Sequence, residues 1–248
     1  MTEPKQHCCL NCNAVTQGAW CHQCGQKSDV KTITVLQTVM DTTKELTDVK
    51  GPMLRTLIGL VKEPGKLCLN YVNGSRKQYA NPVKYFIISY ALMLLALKLS
   101  DWMGGSIRLV TLDLLPIDDG LSSTLQKTIT ESIQYAALVQ GLLIPFQAMT
   151  LRLFFRSFQR RYAEYIILLI YVIATTANGF SLLVLTRLAL IDAAVLVYAA
   201  VMMIYMFWAC IQFTQASFVS GFLRCMGAFS LYSVLLFSVV LVLLKVFG

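Results

Sequence analysis

Apolar and polar positions are unevenly distributed along this chain. Residues 1–82 are polar with short apolar periodicities, whereas residues 83–248 hold apolar stretches of roughly 20 residues, the length that crosses a bilayer core as helix. Five spans are predicted, at about Val83–Leu99, Ile133–Phe155, Tyr165–Leu185, Ala189–Phe213 and Met226–Phe247. Ahead of them, Leu36, Val39, Met40, Thr43 and Leu46 recur at three- and four-residue steps, which predicts an amphipathic helix over Thr32–Val49. Gly51-Pro52 ends it and starts a second, with Leu54, Leu57, Ile58 and Val61 on one face, to lie on the membrane or to pack on the bundle. The expected fold class is therefore an α-helical integral membrane protein, with about five transmembrane helices preceded by a small N-terminal module and amphipathic helices. The chain divides at 1–30, 31–82 and 83–248.

Composition agrees: a hydrophobic fraction of 56% over 248 residues exceeds that of ordinary soluble domains. The net charge of +8 is better explained by topology than by nucleic acid. Basic residues gather before the first span, and Arg152, Arg156, Arg160 and Arg161 lie in or beside the link between the second and third. Both regions are then cytoplasmic by the positive-inside rule. The long loop after the first span instead carries Asp101, Asp113, Asp118, Asp119 and Glu131 against Arg108 and Lys127, as an outer loop should. An N-terminus inside and five spans put the C-terminus outside.

Eight cysteines would suit a disulfide framework in a secreted protein, but the first thirty residues lack the apolar core of a signal peptide. Reduced thiols in a cytosolic segment point to metal ligation. Cys9-Leu-Asn-Cys12, eight residues, then Cys21-His-Gln-Cys24-Gly25 reads as a zinc ribbon, because two C-x-x-C turns joined by a short hairpin bring four thiolates around one ion. Zn²⁺ as a structural cofactor is favoured over iron or a redox dithiol. Cys8 offers a C-x-x-x-C alternative to Cys9, and four cysteines leave His7 and His22 as loop residues. Trp20 is expected to shield the sulfurs, and Gly25 to take a positive φ with its N–H free to reach a sulfur. Within residues 1–30, Lys5 and Lys27 face Glu3 and Asp29, so the module lacks the clustered cations that phosphate binding requires. Nucleic acid is set aside.

Between Pro64-Gly65 and Pro82 lies a turn-rich basic segment in which Arg76, Lys77 and Tyr79 are positioned to contact lipid headgroups. The cysteine pattern with Asn11 and Cys24-Gly25-Gln26, followed by Arg55-Thr56-Leu57, Pro64-Gly65 and Tyr71-x-x-Gly74-x-Arg76-x-x-Tyr79-x-x-Pro82, resembles a bacterial family catalogued as domain of unknown function 3667. The likeness covers residues 8 to about 90. It implies a zinc-ribbon-headed bacterial integral membrane protein, and the charge pattern then puts it in the inner membrane with the N-terminus cytoplasmic and the C-terminus periplasmic. No catalytic role is carried over with it.

Polar groups inside spans mark function by default, since hydrocarbon penalises them. Gln140 and Gln147 flank Pro145 on one face of the second span, Asn178 lies on the third and Asp192 near the outer end of the fourth. Together they form a possible polar seam. Helix–helix hydrogen bonds account for the amides more simply. No G-x-S-x-G, H-E-x-x-H or phosphate-cradling glycine loop occurs, and both histidines sit in the ribbon. Two functional readings follow. In the first, a non-enzymatic membrane protein docks a cytoplasmic or membrane protein partner through its ribbon. The second is a small transporter or lipid-handling protein using the seam. Membrane lipids are partners in either.

Overall fold

A computed structural model describes residues 7–16, 18–28, 51–102, 139–186 and 192–247. The expected helix over Thr32–Val49, residues 103–132 of the outer loop and the starts of the second and fourth expected spans lie outside the described residues. Strand β1 (His7–Cys8) pairs antiparallel with β2 (Val15–Thr16). The helices that follow are α1 (Pro52–Lys62), α2 (Pro64–Val72), α3 (Pro82–Trp102), α4 (described over residues 139–154), α5 (Tyr162–Leu185), α6 (Asp192–Thr214) and α7 (Phe218–Phe247).

Among the described residues, four stretches are long and apolar enough to cross a membrane: Pro82–Ser100, Tyr162–Leu185, Leu196–Thr214 and Phe218–Leu236. Helix α4 belongs to the expected span Ile133–Phe155, of which only the later part is described. The outer surfaces of α6 and α7 carry exposed Val201, Ile204, Val219 and Leu223, which water would not tolerate as a continuous coat. The protein is thus a helical membrane protein.

Proline sets where the first helices start and stop. Pro52 and Pro64 each stand at a helix N-terminus, where the missing N–H costs nothing. Glu63, the residue before Pro64, is driven out of the helical region to φ −147°, ψ 70° and separates α1 from α2. At the start of α3, Asn81 Oδ1 accepts the Val83 N–H at 3.0 Å, with Pro82 in the first turn.

Helices α3 and α5 run parallel along their lengths. Tyr85 meets Thr175, Ser89 meets Asn178, and Ala96 packs with Val184. The chain returns between them through α4, whose Gln140 lies beside Tyr90 and Thr176 while Phe155 accepts from Tyr165. Helix α6 is antiparallel to α5, pairing Tyr198 with Phe180 and Phe213 with Tyr165, and α7 reverses again, with Phe207 against Phe229. Helix α5 is the hub: 61% of its span is buried, against 17% for α7.

The stalk helices pack into this bundle and share its core. Leu60, Leu67, Cys68 and Tyr71 are buried in one cluster with Tyr171 and Phe213. In α1 the expected apolar face is only partly the one buried. Thr56 and Leu60 face inward with Met53 and Leu57 partly covered, whereas Leu54, Ile58 and Val61 are exposed. The inward face is chosen by a hydrogen bond that Thr56 makes to Ala80, which hydrophobic periodicity cannot see. Helix α2 approaches α6 so closely that Gly65 N–H donates to Gln212 Oε1 at 3.1 Å. A Cβ at Gly65 would lie 2.4 Å from Gln212 Cβ and 2.5 Å from the Ala209 carbonyl oxygen.

Gly65→Ala is therefore expected to destabilise the protein by about 1–3 kcal/mol and to lower its melting temperature in detergent by roughly 3–10 °C. Gly141→Ala, whose nearest neighbour would be Phe86 at 4.0 Å, should leave it unchanged or slightly raised. Equal melting of the two variants would contradict the close helix contact.

Candidate metal centre

The N-terminal module is built from the same turn used twice, twelve residues apart. In the first, Cys9 N–H donates to Ala14 O and Asn13 N–H to Cys9 O, both at 2.9 Å. In the second, Cys21 N–H donates to Gln26 O at 2.7 Å and Gly25 N–H to Cys21 O at 2.9 Å. Asn13 and Gly25 both take left-handed backbone, φ 62° and 69°, a conformation that asparagine and glycine adopt at least cost. The strand pairing repeats as well: Cys8 opposes Val15, and Trp20 opposes Lys27. Gly25 has the expected positive φ, but its N–H closes the turn on Cys21 O, leaving the sulfur contacts to residues before it.

These turns converge the thiols of Cys9, Cys12, Cys21 and Cys24 to within 4.8 Å of one another, a group that could hold a metal ion. Sγ–Sγ separations are 3.6 Å for Cys9–Cys24 and 3.5 Å for Cys12–Cys21. The Cys21 thiol is drawn down to about 6, chiefly by the Cys24 N–H, with help from the Gln23 N–H and the Cys12 and Cys24 thiols against desolvation. For Cys12, the Ala14 N–H pulls downward, but desolvation and the thiols of Cys21, Cys24 and Cys9 push it up to about 12. Sulfurs so close resist bearing four charges together unless a cation neutralises them.

Cys8 is exposed and outside the cluster, so the C-x-x-C pairing through Cys9 is the one formed. Exposed His22 is likewise not in the group. Trp20, expected to shield the sulfurs, is 62% exposed, and its place in the repeat corresponds to that of Cys8, which is exposed as well.

The module is seated on the turn that follows α2. Gln26, only 6% exposed, donates from Nε2 to Gly74 O at 2.9 Å, and its Oε1 accepts from the N–H groups of Arg76 and Lys77, each at 3.2 Å. Ser75 Oγ donates to Leu10 O at 2.7 Å, and the Leu10 side chain lies over Gly74. Arg76 and Lys77, expected at lipid headgroups, thus offer their backbones to the module, while the ring of Tyr79 packs against the bundle core. Gln26 was not singled out as a functional residue. Its only signal is its place directly after Cys24-Gly25.

The expected polar seam is not brought together as one surface. Asn178 donates to Tyr85 Oη at 3.1 Å and to Ser89 Oγ at 2.9 Å, beside a groove between α1, α3 and α5. Gln140 opens into a separate cavity of about 420 Å³ with Thr176 and Tyr198, on another side of α5. Gln147 is buried, and its Oε1 has no partner. Asp192 begins α6, and its side chain lies outside the described part.

A helical membrane protein with a four-cysteine head is the class that this architecture defines. Residues 51–94 match the family described as Protein of unknown function (DUF3667). That match covers α1, α2, the seat of the cysteine module and the first half of α3, and it begins after the cysteines. The chain matches no curated protein and no solved structure.

Replacing Gln26 by Ala should cost about 2–3 kcal/mol of docking, since it strips three hydrogen bonds from a buried contact. The expected result is faster hydrogen exchange at the Arg76 and Lys77 amides with no loss of bound metal. Unchanged exchange there would show that the module is held by other contacts.

Proposed function

We propose that this is a non-enzymatic protein of the bacterial inner membrane, N-terminus cytoplasmic and C-terminus periplasmic, whose cysteine module is a structural zinc ribbon that docks a protein partner. The donor set supports zinc. Four thiolates at Zn–S bonds of about 2.3 Å require sulfurs about 3.8 Å apart, close to the separations of 3.5 and 3.6 Å. Four protein ligands close a tetrahedral site and leave no position for a reacting water, so the role is structural. In so small a module, ligation on the order of 10 kcal/mol supplies most of the folding energy.

The observation that carries partner docking is Trp20. A large aromatic 62% exposed is an interface residue by composition. Gln26 holds the module against the turn after α2, through Gly74, Arg76 and Lys77. Such a partner meets the ribbon at a fixed distance from the membrane.

Protein purified without chelator should contain about one equivalent of zinc per chain. Cys9→Ser should lose it and Cys8→Ser should keep it. Below about half an equivalent, or with no effect of Cys9→Ser, the zinc assignment falls. For docking, the full chain and its Trp20→Ala variant are crosslinked in native membranes and their partners compared at equal abundance and equal zinc content. Loss of specific partners from the variant is expected. Identical recovery would sink the docking reading.

A further inference from the structure

Helices α4 and α7 enclose a second feature that neither the ribbon nor the stalk uses. It is a slot of about 860 Å³, walled by apolar residues such as Leu143, Phe146 and Leu235, with Arg152 and Arg156 at one end. Arg152 lies near the end of α4 and Arg156 four residues on, in the short 3-10 turn Arg156–Phe158 that follows it, and both are exposed. Two other cations on this rim are engaged. Arg160 pairs with Glu164 at 3.7 Å and lies over the Phe213 ring, while Arg224 donates to Phe154 O and Ser157 Oγ and stacks on Phe158. Among the described residues, no acid faces Arg152 or Arg156 within ion-pair distance.

Two unpaired guanidiniums at the mouth of an apolar slot call for an occupant that is anionic at one end and hydrocarbon along the rest. From Arg152 back to Leu143 the helix rises about 14 Å, close to the ~15 Å hydrocarbon depth of one leaflet. A soluble anion would leave the slot empty, and a purely apolar segment would leave the charges unmet. We propose that this slot binds one anionic glycerophospholipid, its phosphate between Arg152 and Arg156 and an acyl chain lying along α4 against α7. Arg152 and Arg156 supply planar donors suited to phosphate oxygens, and Leu143, Phe146 and Leu235 supply the chain's wall.

The test is native mass spectrometry of the full-length protein in detergent, supplied with equal phosphatidylglycerol and phosphatidylcholine of identical acyl chains. Phosphatidylglycerol adducts should exceed phosphatidylcholine adducts roughly tenfold. In Arg152→Gln/Arg156→Gln that preference should fall to about one, and in Arg152→Lys/Arg156→Lys most of it should remain. Leu235→Trp, which fills the slot and keeps both charges, should cut phosphatidylglycerol adducts several-fold, and it decides the matter even where the glutamine variant folds poorly. Equal adducts of the two lipids on the unaltered protein would overturn the proposal, as would a preference untouched by Leu235→Trp. So would a dimer that Leu235→Trp disperses, because a second copy of the chain would then fill the slot.

Discussion

Residues 73–81 form no helix or strand, yet parts of them are buried, so the backbone polar groups that local turns leave unpaired need partners among side chains. Those partners come from three separate parts of the chain. Gln26 of the cysteine module serves Gly74, Arg76 and Lys77. Thr56 of the stalk accepts the Ala80 N–H at 2.8 Å, and Tyr171 of the central span donates to the Ala80 carbonyl. An unpaired buried donor or acceptor costs on the order of 1–3 kcal/mol. The irregular segment therefore ties head, stalk and bundle into one structure.

That arrangement changes what the head can do. A module on a flexible tether would sample many orientations, whereas this one is held against the seat by Gln26, Ser75 and Leu10. The segment matching the family, residues 51–94, is the seat together with the helices that fix it. Its glycine at position 65 permits α2 to lie against the backbone of α6, and Tyr71 then packs edge-on to Tyr171 at 5.7 Å.

The polar groups within the spans mostly hold helices together. Asn178 divides its amide between Tyr85 and Ser89, and Thr175 adds a contact to Tyr85 at 3.3 Å, which joins α3 to α5 where both are surrounded by apolar side chains. Such bonds each contribute about 1 kcal/mol in a bilayer. They also fix the parallel register of two helices that share no connecting loop. The amides of α4 lie elsewhere, so a continuous polar path from Gln140 to Asn178 is not formed.

Hydrophobic length and cysteine spacing were legible in the chain itself. A run of apolar residues long enough to cross a bilayer has few alternatives, and two C-x-x-C turns eight residues apart have few geometries, so four membrane-length helices, the last at Phe218–Leu236 rather than from Met226, and convergence of Cys9, Cys12, Cys21 and Cys24 follow from local rules. The repetition of one turn, with Asn13 and Gly25 both in left-handed backbone, emerged only in the fold. Which face of α1 turns inward, where Trp20 points and what Gln26 does depended on residues distant in sequence. Thr56 outweighs its apolar neighbours because Ala80 requires an acceptor, and Gln26 is buried because three backbone groups need it. Hydrophobic periodicity records how much apolar surface a segment must hide. Only the folded chain decides which buried backbone groups need partners and which side chains are close enough to supply them.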